Sequence, residues 1–217
     1  MTYPMPAAPT EQPGKPRPLW LTSAITMAAI AAVLIVIELI DVLTPHHDLD
    51  ANGIEPRELG GLDGVLWSPF LHGDWSHLFG NLGPGMVLGF VLLMARRFLA
   101  VTAIVWGISG VGVWLTAPAY SVTIGASGII FGWLTYLLIR GVFNRNLRQI
   151  LIGLVVFVVY GSILWGVLPT DETVSWQGHL FGAIGGVAAA WYLAARDRGE
   201  GGRPAPAAPN PSTGVGF

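Results

Sequence analysis

Long apolar runs alternate with short polar breaks along the chain. Six runs are read, at about 19–43, 74–95, 98–117, 123–140, 149–168 and 176–195. Each approaches the about 20 residues that carry a helix through a hydrocarbon core about 30 Å thick. The break at 44–70 differs from the others, being long, acidic in part and full of turn formers: Pro45, Gly53, Pro56, Gly60, Gly61 and Gly64. Both ends of the chain are rich in Pro and Gly. They predict disordered tails, 1–18 and 197–217, around a helical core at 19–196. The first stretch lacks the short apolar core and cleavage site of a signal peptide.

The basic residues orient this pattern. Lys15 and Arg17 precede the first run, Arg96 and Arg97 follow the second, and Arg140, Arg145 and Arg148 follow the fourth. Arg196, Arg198 and Arg203 follow the sixth, and only Arg57 falls in a break on the other side. Cytoplasmic loops carry the excess of Lys and Arg. The expected fold is therefore an all-α membrane protein, a six-helix bundle with both termini cytoplasmic, in the plasma membrane. Glycines at 178, 182 and 186 on the sixth run and at 128 and 132 on the fourth are spaced for close backbone approach in lipid. They predict direct contact between those two helices.

Composition narrows the classes further. The chain is 53% hydrophobic and 11% charged, whereas soluble domains run near a quarter charged. A net charge of -2 points to neither nucleic acid nor any other strongly charged partner. With no Cys, disulfides, thiol nucleophiles and thiolate metal sites are excluded. One Lys against ten Arg suits a GC-rich bacterial genome. No metal ligand set or cofactor motif is read. There is no H-E-x-x-H, and His72 and His77 are five apart, on poorly matched helix faces.

Polar groups inside a bilayer are costly and tend to mark function. Ser127 lies 13 residues from Arg140, Asn81 15 from Arg96, His179 17 from Arg196 and His77 19 from Arg96. At about 1.5 Å per residue these are heights of roughly 20 to 28 Å above the basic ends. Three helices thus place polar groups at similar depth, in the outer half of the membrane. Taken singly, each has a plainer explanation. A Ser in a membrane helix commonly bonds back to its own backbone, a His near a helix end sits at the interface, and an Asn joins helices. His77 and Asn81, four apart, share one helix face. Together the set suits acyl transfer. A Ser hydroxyl needs a base to become nucleophilic, His is the usual one, and the tetrahedral intermediate needs donors for its oxyanion. His77, Asn81 and the backbone N–H of Ser127 at a helix start can supply them.

Three motifs carry a family resemblance. His72-Gly-Asp-Trp-Ser-His77-Leu-Phe-Gly-Asn81 resembles the H-x4-H-x3-N signature of rhomboid intramembrane proteases. Gly125-Ala126-Ser127-Gly128 resembles their G-x-S-G motif, and Gly178-His179-Leu-Phe-Gly182 their sixth-helix histidine motif. The resemblance covers about 19–196. It implies a Ser127–His179 dyad, oxyanion donors His77 and Asn81, and a more structural role for His72. It also implies a half-embedded loop between helices one and two, a gate at helix five and a cap at 168–176. The substrates implied are single-pass membrane proteins, cut within the lipid bilayer without a cofactor. Two positions depart from the pattern: Phe131 stands where many members have Tyr, and Ser68 follows Trp67 where many have Arg. The alternatives are a catalytically silent rhomboid-like protein that binds membrane helices, and a small-solute transporter using Glu38 and Asp41. The latter pair sits near the outer end of the first run and is expected to snorkel to the interface.

Overall fold

The computed structural model describes residues 17–44, 49–170 and 174–201. Among these residues the chain is helical, with one isolated antiparallel bridge between Ile54 and Thr123. The helices are α1 (Leu19–Leu43), α2 (Gly64–Trp67), α3 (Trp75–Met94), α4 (Phe98–Thr116), α5 (Ser127–Phe143), α6 (Leu147–Tyr160) and α7 (Trp176–Gly201). A 3-10 segment, Gly161–Val167, continues α6. Five stretches are long and apolar enough to cross a membrane: α1, α3, α4, α6 with its extension, and α7. The remaining apolar helix, α5, has only 17 residues.

Two boundaries differ from the sequence expectation. α5 begins at Ser127, later than the expected 123, because the preceding residues are held extended. The Ile54 N–H donates to the Thr123 carbonyl at 2.9 Å and the Thr123 N–H to the Ile54 carbonyl at 3.0 Å. Gly125 then turns the chain at φ 109°, a conformation only glycine adopts cheaply. α7 continues through Gly201, past the Arg196 expected to end the core. The predicted tail at 197–217 is corrected to that extent; 202–217 and 1–16 lie outside the described residues.

Side-chain caps fix where three helices start. Asp74 accepts the His77 N–H at 2.8 Å for α3, and Asn146 accepts the Gln149 N–H at 3.1 Å for α6. The Ser175 hydroxyl accepts the Gly178 N–H at 3.2 Å for α7. Each satisfies one of the free N–H groups of a first turn. At the opposite end of the bundle Arg97 pairs with Asp197, and Arg198 donates to the Phe143 carbonyl at 3.1 Å. The ends of α5 and α7 and the start of α4 are thereby tied together.

α5 is the central helix. Ile129, Phe131, Leu134 and Leu137 on it are buried with Leu88 and Leu92 of α3, Val105 of α4 and Leu193 of α7. Its tightest seam is with α7, as the glycine spacing predicts. A Cβ on Gly182 would collide with the Gly128 carbonyl, and one on Gly186 with the Gly132 carbonyl and the Thr135 hydroxyl. Thr135 also donates across the seam to the Ala183 carbonyl at 3.0 Å. In lipid the apolar effect does not drive helices together, so close van der Waals packing and such bonds carry the association. Gly182→Ala is expected to lower the melting temperature in detergent, since the obstructing atoms are backbone and overpacking costs about 1–3 kcal/mol. Gly107→Ala on α4, where nothing lies within 4 Å of an added Cβ, leaves it unchanged or higher. Equal melting of both variants would contradict this seam.

α6 packs chiefly on α5, with Gly153 against the Leu137 and Leu138 carbonyls. Most of its other side chains, Leu151, Leu154, Val155, Val158 and Val159 among them, are exposed. The segment between α1 and α3 is anchored at several points. Arg57 donates to the Ala117 carbonyl at 2.7 Å, Trp114 to the Glu58 carbonyl at 3.0 Å and Trp106 to the Val65 carbonyl at 2.5 Å. Glu38 and Asp41 do not snorkel as expected. Both are 3% exposed, and an Asp41 oxygen accepts the Leu49 N–H at 3.0 Å. The Asp41 carboxylate holds the chain that follows α1.

Candidate active site

The start of α5 sits beside the starts of α3 and α7. Between them lies a cavity of about 1170 Å³ whose walls include Ser127, His179, His77, Asn81 and Phe131. Four polar residues from three helices, far apart in sequence, thus share one space.

Ser127 is the first residue of α5, and no side chain caps that helix. Its N–H belongs to the free donors of a first turn. The turn before it is built around Gly125. Besides its positive φ, a Cβ there would meet His77 Nε2 at 2.6 Å and Asn81 Nδ2 at 3.6 Å. The two α3 side chains therefore close on the backbone two residues before Ser127. The Gly125 N–H donates to the Ser68 carbonyl at 2.8 Å. Ser68, which departs from the family pattern, anchors this loop through its backbone. Gly128 is equally constrained: a Cβ would meet the Ser109 hydroxyl, and the Gly178 carbonyl at 3.1 Å. Ser109, buried on α4, donates to that same carbonyl at 3.0 Å. Gly178 itself has ordinary room, with the nearest atom 3.4 Å from an added Cβ.

His179 is 6% exposed. Its ring stacks on Phe131, with centroids 3.9 Å apart and planes at 8°. Stacking needs no hydroxyl, so Phe131 fills the place of Tyr in this respect. His179 Nδ1 lies 2.8 Å from the Gly166 carbonyl. A carbonyl can only accept, so Nδ1 carries the proton and Nε2 is left as the basic nitrogen. Gly166 must be small: a Cβ would sit 2.9 Å from Phe131 Cζ and 3.1 Å from His179 Nδ1. Ser127 and His179 share the cavity wall without a hydrogen bond between them.

Asn81 is 7% exposed and its Nδ2 has no hydrogen-bond partner, so an amide donor stands free beside Gly125. His72, 2% exposed, sets its ring edge-on to His77 at 5.1 Å. Burial lowers its pKa to about 4, the His77 charge adds to this, and the Phe70 carbonyl pulls weakly the other way. Neither ring nitrogen makes a hydrogen bond of ordinary geometry. His72 is therefore a neutral packing partner that fixes the His77 ring.

Gly166, Ser109, Ser175 and Gln177 also belong to the site's surroundings and were not singled out from the sequence. Ser175 carried a signal, a Ser three residues before a Gly at a helix start. Gly166 carried none, because its function is that of a backbone carbonyl.

A bundle of apolar helices thus gathers a Ser, two His and an Asn onto the wall of one cavity. The Rhomboid domain profile matches residues 61–196. The chain belongs to the rhomboid family and is a multi-pass membrane protein. It is 46% identical over 203 residues to an uncharacterized protein of Mycobacterium tuberculosis, covering 89% of this chain and 84% of that one. A Mycobacterium leprae protein, also uncharacterized, is 44% identical over 189 residues, 82% of this chain and 74% of that protein. Rhomboid-like protease 5 of Toxoplasma gondii is 32% identical over 146 residues, 64% of this chain and 17% of that much longer protein.

Proposed function

We propose that the protein is an intramembrane serine endopeptidase that cuts single-pass membrane proteins in or near their transmembrane segments. The observation that carries this reading is the convergence of Ser127, His179, His77 and Asn81 on one cavity. Ser127 Oγ attacks the scissile carbonyl while His179 Nε2 takes its proton. The Gly166 carbonyl holds the imidazole in the needed tautomer and stabilises the imidazolium, the role an acid plays in a triad. The oxyanion is bound by Asn81 Nδ2, His77 Nε2 and the Ser127 N–H. His179 then protonates the leaving amine, and water releases the acyl group by the reverse sequence.

The decisive experiment is labelling with a fluorophosphonate, which reports an activated serine without knowledge of the substrate. Wild-type protein is expected to label at Ser127 and Ser127→Ala not at all. A folded wild type that does not label would support the silent helix-binding alternative instead.

In this reading six helices cross the plasma membrane, with α5 the short one, and both termini are cytoplasmic. Reporter fusions at the N-terminus, in the link around Arg145 and at the C-terminus are expected to read cytoplasmic. Fusions near Gly60 are expected to read external. An external signal at Arg145 would overturn the arrangement.

A further inference from the structure

Gln177 occupies the first turn of α7, two residues before His179. It is only 6% exposed, yet it lines the same cavity as Ser127 and His179. Among the described residues its amide has no hydrogen-bond partner, and it is not one of the fully buried polar atoms left without one, so it opens onto the cavity. An amide so placed keeps its donors and its acceptor available to whatever enters the cavity. The ordinary use of a Gln at a helix start is capping. That does not apply here: Ser175 already takes the Gly178 N–H, and the reciprocal Gln of a capping box stands one position later than 177.

A primary amide presents one acceptor and two donors, and a peptide unit presents the complement, one N–H and one C=O. In an intact helix both are already paired within the chain. In an unwound segment they are free. The α4–α5 link lines the same cavity with Pro118, Ser121, Val122, Thr123 and Ile124.

We propose that Gln177 is a substrate-binding residue that pairs with the main chain of an unwound peptide segment next to the scissile bond. It favours the unwound form over the helix whatever the side chains nearby. The proposal rests on the protease reading above and adds a subsite to it. Gln177 replaces the hydrogen bonds the substrate gives up on leaving its helix, and so lowers the cost of presenting the bond to Ser127.

The test uses purified full-length protein in detergent, with a cleavable peptide spanning the unwound region of a single-pass substrate. Gln177→Leu is expected to raise KM three- to thirtyfold, the range of about one or two neutral hydrogen bonds, with kcat changed less than twofold. Ser127 labelling by an ethyl fluorophosphonate, which carries no peptide main chain, stays at the wild-type rate, and the melting temperature is unchanged. In peptides with one backbone N–H at a time replaced by an ester oxygen, wild type loses affinity most at one position. That loss disappears in Gln177→Leu. An unchanged KM, or ester losses equal in both proteins, overturns the proposal. So does a joint fall of labelling and melting temperature, which marks a structural role. Absence of labelling in wild type overturns the protease reading itself and this subsite with it.

Discussion

Ser127→Ala and His179→Ala are each expected to lower cleavage of a single-pass substrate in detergent by more than about 10⁴-fold, the scale of losing a nucleophile or its base. The double variant is hardly worse than either single one, because the two side chains act on one proton and one bond, and such effects do not add. Melting temperatures are nearly unchanged. Among the described residues the Ser127 hydroxyl has no hydrogen-bond partner to lose, and His179→Ala removes one stacking contact and one bond to Gly166. Chelators leave the rate untouched, since no step of the proposed chemistry uses a metal. Retained turnover in Ser127→Ala, or inhibition by EDTA that zinc reverses, would end the serine mechanism.

Asn81→Ala lowers kcat by roughly ten- to a thousandfold, the range for loss of one oxyanion donor. The Nδ2 of Asn81 is buried without a partner next to the Gly125 turn. A group left so pays its desolvation in the resting protein and recovers it when an oxyanion forms nearby. KM moves little, because the interaction is strongest in the transition state. His77→Ala behaves alike, and the pair shows coupling because both donors close on one place. Fluorophosphonate labelling slows in both variants without vanishing, the Ser127 N–H remaining. If Asn81 only packed α3 against its neighbours, the variant would melt early and turn over at the wild-type rate per folded molecule. Measuring both quantities on one preparation separates the two.

The motif residues were legible because their spacing is local. His77 and Asn81 lie four apart on one helix, and the structure brings both to Gly125. The depth ruler rests on the same kind of regularity, since rise per residue and the basic ends are properties of single helices, and the four residues line one cavity. The glycine seam between α5 and α7 was also readable, since small residues every fourth position state which face approaches another backbone. Phe131 offered no hydroxyl to argue from, and only the stack on His179 reveals what it does.

By itself, the sequence determined that this is a helical membrane protein, where its apolar segments run, and which Ser, His and Asn stand at a common height. Hydropathy and charge act along the chain, and the bilayer reads them segment by segment. Only the tertiary structure decided what faces what. Helices that are apolar on all sides carry little record of which side meets a neighbour. The burial of Glu38 and Asp41, the Gly166 carbonyl on His179, the Ser109 bond to Gly178 and the late start of α5 each depend on partners outside the residue's own helix. Gln177 belongs with them. Its type and position are ordinary for a helix start, and only the fold shows that its amide opens onto the cavity.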